Sequence, residues 1–247
     1  MCCFSGPVES VTNTRIFARL TGKGTQFVVY QMNWKAQKPV AIILPIPVVQ
    51  AKPDAVRFVN LKEYASFFDD LRKGFPVEPA TRSGGARPKS DAKAADRVLV
   101  VEEVGDFVAS FVPTIADFSR LDPRFVLPAS VWEQLPSYRR YGFAVFQLKA
   151  AAKNGASVHP MAFEFDTRMG GSLFFPTLHI HDGQVHPREE FDHTLYTQKV
   201  VIGEKSPQNA EKFIAMDKAL GVIDGKLPVS RKILKGHLQN RDTIYAA

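Results

Sequence analysis

The chain has 247 residues, 45% of them hydrophobic and 23% charged, a globular balance that needs neither disulfide nor metal staple to fold. No window approaches the roughly 18 apolar residues of a membrane helix, and the N-terminus lacks the basic and apolar regions of a secretory leader. The net charge is +7, but the bases are dispersed, with a mild concentration at Ser230–Lys235, and do not interleave with aromatics, so nucleic acid is not an expected partner.

The first fifty residues read as a β-meander. Thr14 to Leu20 alternates, Gly22-Lys23-Gly24 turns, Phe27 to Trp34 returns, and Val40 to Ile46 is apolar enough for a central strand. Leu61 to Phe75 carries apolar residues at helical spacing and predicts a helix. The Pro-, Gly-, Lys- and Ala-rich stretch at about 78–96 reads as a mobile surface loop. Strands follow at Val98 to Val104 and Asp106 to Val112, then short helices at Ile115 to Leu121 and Ser130 to Leu135. Four strands are expected at Gly142 to Leu148, Val158 to Phe165, Leu173 to His181 and Phe191 to Val201. Pro207 to Leu220 predicts an amphipathic helix with Pro207 in its first turn, and Val229 to about Gln239 a basic one. The expectation is one α+β domain over 1–247, an antiparallel-rich sheet with a few flanking helices.

The richest chemical segment is Phe175 to His186. Asp182-Gly183 between two β-rich runs is a strong two-residue hairpin signal, because both positions favour positive φ. Counting outward from that turn sets His181 against Gln184 and His179 against His186, all on one face. Opposed Cβ atoms lie roughly 4.5–5.5 Å apart in such a pair, close enough for His179, His181 and His186 to converge on one ion. His193 is a candidate fourth ligand, and Glu189, Glu190 and Asp192 are candidates to orient the imidazoles. Imidazole donors suit copper, iron or zinc.

The two cysteines are adjacent, which disfavours a disulfide and fits a reducing, cytoplasmic setting. Removal of Met1 would leave Cys2 with a free amine beside its thiol. Cys2 or Cys3 is then a candidate catalytic group, as an extra metal ligand or as an N-terminal nucleophile. Burial as small hydrophobes and acylation of a terminal Cys pair are the plain alternatives, the second without the basic or apolar companions that promote it.

Cys2-Cys3-Phe4, Thr14-Arg15-Ile16-Phe17-Ala18, the Leu44-Pro45-Ile46-Pro47 strand end, His159 to Phe165 and Phe175 to Leu178 together resemble an uncharacterised bacterial domain family, often exported, with a Cys-rich start. The resemblance is patchy over residues 1–200. It implies no activity, and the His179-x-His181 pair is not one of that family's features. It favours a role for Cys2 or Cys3 beyond packing. The N-terminal-nucleophile reading is weakened, because Arg15 and Arg19 follow but no nearby aspartate does.

The functional expectation is a mononuclear metalloenzyme, a copper- or iron-dependent oxidoreductase with zinc as the alternative ion, acting on a small-molecule substrate. The alternatives are a Cys2 amidohydrolase and a non-catalytic metal-binding protein.

Overall fold

The computed structural model of the chain describes residues 3–49, 54–75, 101–104, 107–148 and 156–246. The expected loop at 78–96 lies outside these residues. The strands are β1 (Cys3–Phe4), β2 (Ser10–Leu20), β3 (Thr25–Lys35), β4 (Ala41–Ile46), β5 (Val56–Asn60), β6 (Val101–Val104), β7 (Phe107–Val112), β8 (Gly142–Leu148), β9 (Ala156–Ser157), β10 (Met161–Asp166), β11 (Leu173–Phe175), β12 (Arg188–Thr197), β13 (Glu204–Asn209), β14 (Pro228–Gln239) and β15 (Thr243–Tyr245). Two short α-helices, α1 (Phe67–Lys73) and α2 (Ala129–Glu133), and several short 3-10 helices complete the described residues.

Two sheets dominate. One runs β1-β4-β8-β7-β6 and is antiparallel throughout. The larger runs β13-β14-β12-β2-β3-β10-β5, with β9 beside β3, and only its β12–β2 pair is parallel. β2 and β3 form the predicted hairpin, turned at Gly22 and Gly24, both at positive φ. Asn13, also at positive φ, marks the register shift between Thr12 and Arg15, where β2 bulges.

The sheets pack face to face. Ile16, Val28 and Tyr30 of the larger sheet meet Ile42, Leu44 and Phe146 of the smaller. Each outer face is covered as well. Phe17, Val29 and Tyr196 pack under Phe67, Phe68 and Leu71 of α1 and under Ile214 and Val222. Ile43, Phe143 and Val145 pack under Phe118, Trp132 and Tyr138. Central strands are thus buried on both sides, which is why β3 and β4 read as continuous apolar runs rather than alternations.

The expected α+β class is corrected: the described residues are mostly β, 46% strand against 16% helix. Two predicted helices are the main reason. Val229 to Gln239 is the strand β14, held along its length by β12 from Ser230 to Gln239. Its later residues alternate half-buried and exposed, a period of two that its good helix formers obscured. Pro207 to Leu220 begins inside β13, makes one 3-10 turn at Ala210–Lys212, and continues as turns. Distant groups satisfy that backbone: Tyr64 Oη accepts the Ala215 N–H at 2.8 Å, and Arg19 donates to the Gly221 and Val222 carbonyls at 2.6 and 2.8 Å. The helix expected over Leu61 to Phe75 is broken into a 3-10 turn, Lys62–Tyr64, and α1.

Candidate functional site

The N-terminal strand meets the histidine-rich segment, so the candidate site is built from both. β1 is short because Gly6-Pro7 follows it. On one side Cys3 and Phe4 pair with Ile43 and Ile42 of β4. On the other, Cys3 bridges Ile180 in parallel, and the Phe4 N–H donates to the Ile180 carbonyl at 2.9 Å. Cys3 is fully buried, its thiol 3.8 Å from the Leu178 carbonyl. Cys2 lies outside the described residues.

The expected hairpin at Asp182-Gly183 is not there. Strand β11 ends at Phe175, and no ladder joins 176–181 to 184–187. Asp182 instead folds back to accept the Gln184 N–H at 3.0 Å, with Gly183 at positive φ, so its side chain closes a local turn. The backbone of this segment is satisfied from near the chain's far end. Asn240 Oδ1 accepts the His179 N–H at 2.8 Å, and Asn240 Nδ2 donates to the His179 and His186 carbonyls, both at 2.9 Å. Asp242 Oδ1 accepts the Thr177 and Leu178 N–H groups at 2.8 and 2.9 Å. Side chains replace the strand partner that the hairpin would have supplied. Asn240 and Asp242 are the residues that sequence reasoning missed. Their only signal was a polar cluster after a predicted element, which says nothing about residues some 60 positions away.

His179, His181 and His193 do come together, the last from β12. The His179 ring lies 4.2 Å from Phe191, 5.1 Å from His193 and 5.4 Å from His181, centroid to centroid, and near-parallel to each. Phe4 adds an edge contact to His181 at 6.1 Å. This is an aromatic stack. Imidazole lone pairs lie in the ring plane, so near-parallel rings aim them side by side and not at a shared point, whereas a metal needs all donors within about 2.1 Å of one centre. Among the described residues, no three His, Cys, Asp or Glu side chains are placed to hold an ion. His186 stands apart on the surface, 2.9 Å from the Asp182 carboxylate.

Electrostatics follow burial. Desolvation pushes His179 far below the usual imidazole range and His181 down to about 4. Both ring nitrogens of His179 and Nε2 of His181 are buried with no hydrogen-bond partner among the described residues. The Asp182 carboxylate raises His186 in turn. Burial lifts the Asp242 carboxyl to about 6. At neutral pH the stack is therefore uncharged at His179 and His181, a greasy wall against which β1 is laid. Of the remaining histidines, His159 is buried and stacks on Phe107 at 4.5 Å, and His237 is exposed on β14.

No family model matches the sequence, and no curated protein does. Solved structures do match. The chain is similar to the crystal structure of baculovirus P35, with a TM-score of 0.52 and 14% identity, covering 99% of each chain. It also aligns with P35 in a caspase-8/P35 complex, at TM-score 0.45 and 15% identity over 95% of this chain and 96% of that one. A mutated baculovirus P35 after caspase cleavage aligns at TM-score 0.44 and 15% identity, over 97% and 99%. The likeness of fold is carried by the first of these. The expected copper- or iron-dependent oxidoreductase with its small-molecule substrate is corrected: no group among the described residues is placed to hold a metal ion, and the fold is like that of baculovirus P35. No helix among the described residues is long and apolar enough to cross a membrane. What the geometry and the likeness establish jointly is a P35-like β-fold with an aromatic-histidine anchor at its N-terminal strand.

Proposed function

We propose that this chain is a protein-binding protein of the P35 kind, whose partner is a cysteine protease of the caspase type and whose binding blocks that protease. One observation carries the reading: the P35 likeness runs over 99% of both chains, so it covers the whole scaffold and not one shared motif. P35 is recorded both in complex with caspase-8 and after caspase cleavage, which is the behaviour of a ligand that enters a protease's substrate site. A stack of buried, neutral imidazoles also suits a scaffold better than a reaction centre, since proton transfer needs a group that titrates near the working pH. A cytoplasmic setting belongs to the same proposal.

The test mixes purified full-length protein with caspase-8. Residual hydrolysis of a fluorogenic peptide reads inhibition, and intact mass reads cutting of the chain. The expected result is loss of protease activity in step with added protein, accompanied by one cut. Full protease activity with an intact chain at large molar excess, across a caspase panel, would overturn the proposal.

A further inference from the structure

The two sides of β14 are covered unequally. β12 pairs with it from Ser230 to Gln239, whereas β13 pairs only with Pro228, Ser230 and Arg231. From Lys232 to Gln239, no strand among the described residues occupies the second side. Such an edge offers backbone N–H and C=O groups to any extended chain that fits beside it, the His237 carbonyl excepted, which accepts from the Arg188 guanidinium.

Charge narrows what fits. β14 contains Arg231, Lys232 and Lys235 and no acid. Both of its present neighbours answer with acids: Glu204 of β13 stands opposite Arg231 and pairs with it, while Asp192 and Glu190 of β12 stand opposite Lys235 and His237. A second copy of β14 would bring only further bases, and like charges placed opposite each other destabilise a ladder. Lysines along the edge and Gly236 at positive φ guard it against self-pairing in the same way.

Shape supplies the rest. A groove of about 510 Å³ lies along this half, with Leu234, Leu238, Phe191 and Ile244 on its apolar wall and Arg241 and Asp242 among its polar lining. Leu234 and Leu238 share one strand face by the period of two, and Lys235 falls on the other. Ile233, on the Lys235 face, is 61% exposed.

We propose that the β14 edge from Lys232 to Gln239 receives an extended acidic segment of a partner protein by strand addition. The segment alternates acidic and aliphatic residues, with the aliphatic ones entering the groove beside Leu234 and Leu238 and the carboxylates facing Lys235. This proposal is independent of protease binding.

The probe is a fluorescein-labelled peptide of about eight residues, an ordinary strand length, alternating Glu and Val. Its control carries Lys in place of Glu. Anisotropy with the full chain should give saturable binding of the Glu peptide, weakened about threefold to fivefold by Lys235→Glu or Ile244→Glu, and no comparable binding of the Lys peptide. Both altered residues are exposed, so circular dichroism should report an unchanged fold. Amide shifts on binding should cluster in 232–239. Absence of saturable binding, equal binding of both peptides, or shifts lying elsewhere would each overturn the proposal. Self-association through β14 that excludes the peptide would overturn it too, assigning the edge to a second copy.

Discussion

His179 and His186 have carbonyls held by the same Asn240 amide, yet their rings occupy opposite environments. One ring is fully buried among Phe191, His181 and His193, with no hydrogen-bond partner for either nitrogen among the described residues, and the other is on the surface beside a carboxylate. Burial lowers the first pKa and Asp182 raises the second. Two residues of one type, seven positions apart and joined by one side chain, thus have their pKa values moved in opposite directions. Residue type and spacing fix neither, because the neighbours that set dielectric and charge arrive from β12 and from the segment after β14.

Acid should separate them most strongly. His179 and His181 have folded pKa values below the unfolded value of about 6.5, so the unfolded chain binds the proton first as pH falls. Their contribution is intact above about 6.5 and is lost below it, down through about 4 for His181, at about 1.4 kcal/mol per pH unit for each histidine. Urea titrations between pH 7.5 and 5 would measure this. A flat profile would show that the stack is solvated.

Removing the shared amide should come next. Asn240→Ala deletes one acceptor and two donor contacts and should cost about 2–3 kcal/mol. Hydrogen exchange at 177–181 should rise before that of β3, and unchanged protection there would refute the role given to Asn240. A smaller gain is expected from His179→Leu, which removes two unpartnered buried nitrogens at little change in volume. Stability at pH 7 should rise by about 1 kcal/mol, and part of the acid slope should disappear. The least effect belongs to Asp182→Asn. An NMR titration should show the His186 midpoint moving down, with no measurable change in unfolding midpoint, since an exposed ion pair adds little. A large destabilisation would mean that the pair is not the surface feature described.

Much of the β-framework could be read from residue pattern. The β2–β3 hairpin, β4, β7 and β8 follow from β-branched and aromatic runs bounded by glycine, proline and polar turns. The helical misreadings at 207–220 and 229–239 arose where helix formers sit in a chain whose backbone groups are claimed by Tyr64, Arg19 and β12. Propensity is worth tenths of a kcal/mol per residue, and a complete ladder outweighs it. The gathering of His179, His181 and His193 was legible in part. The intended geometry was not, because an Asp-Gly turn signal carries no information about Asn240 or Asp242.

The sequence alone determined that this chain is globular, rich in strands and hydrophobic enough to cover sheets, since those properties are sums over local residue choices. Tertiary structure decided the rest: central strands of two sheets buried on both faces, histidines stacked as an apolar wall instead of converging on an ion, and the later half of β14 with no second partner strand among the described residues. Those outcomes depend on which distant groups arrive beside each residue. That arrangement is set by long-range pairing and burial, neither of which leaves a trace in a window of ten residues.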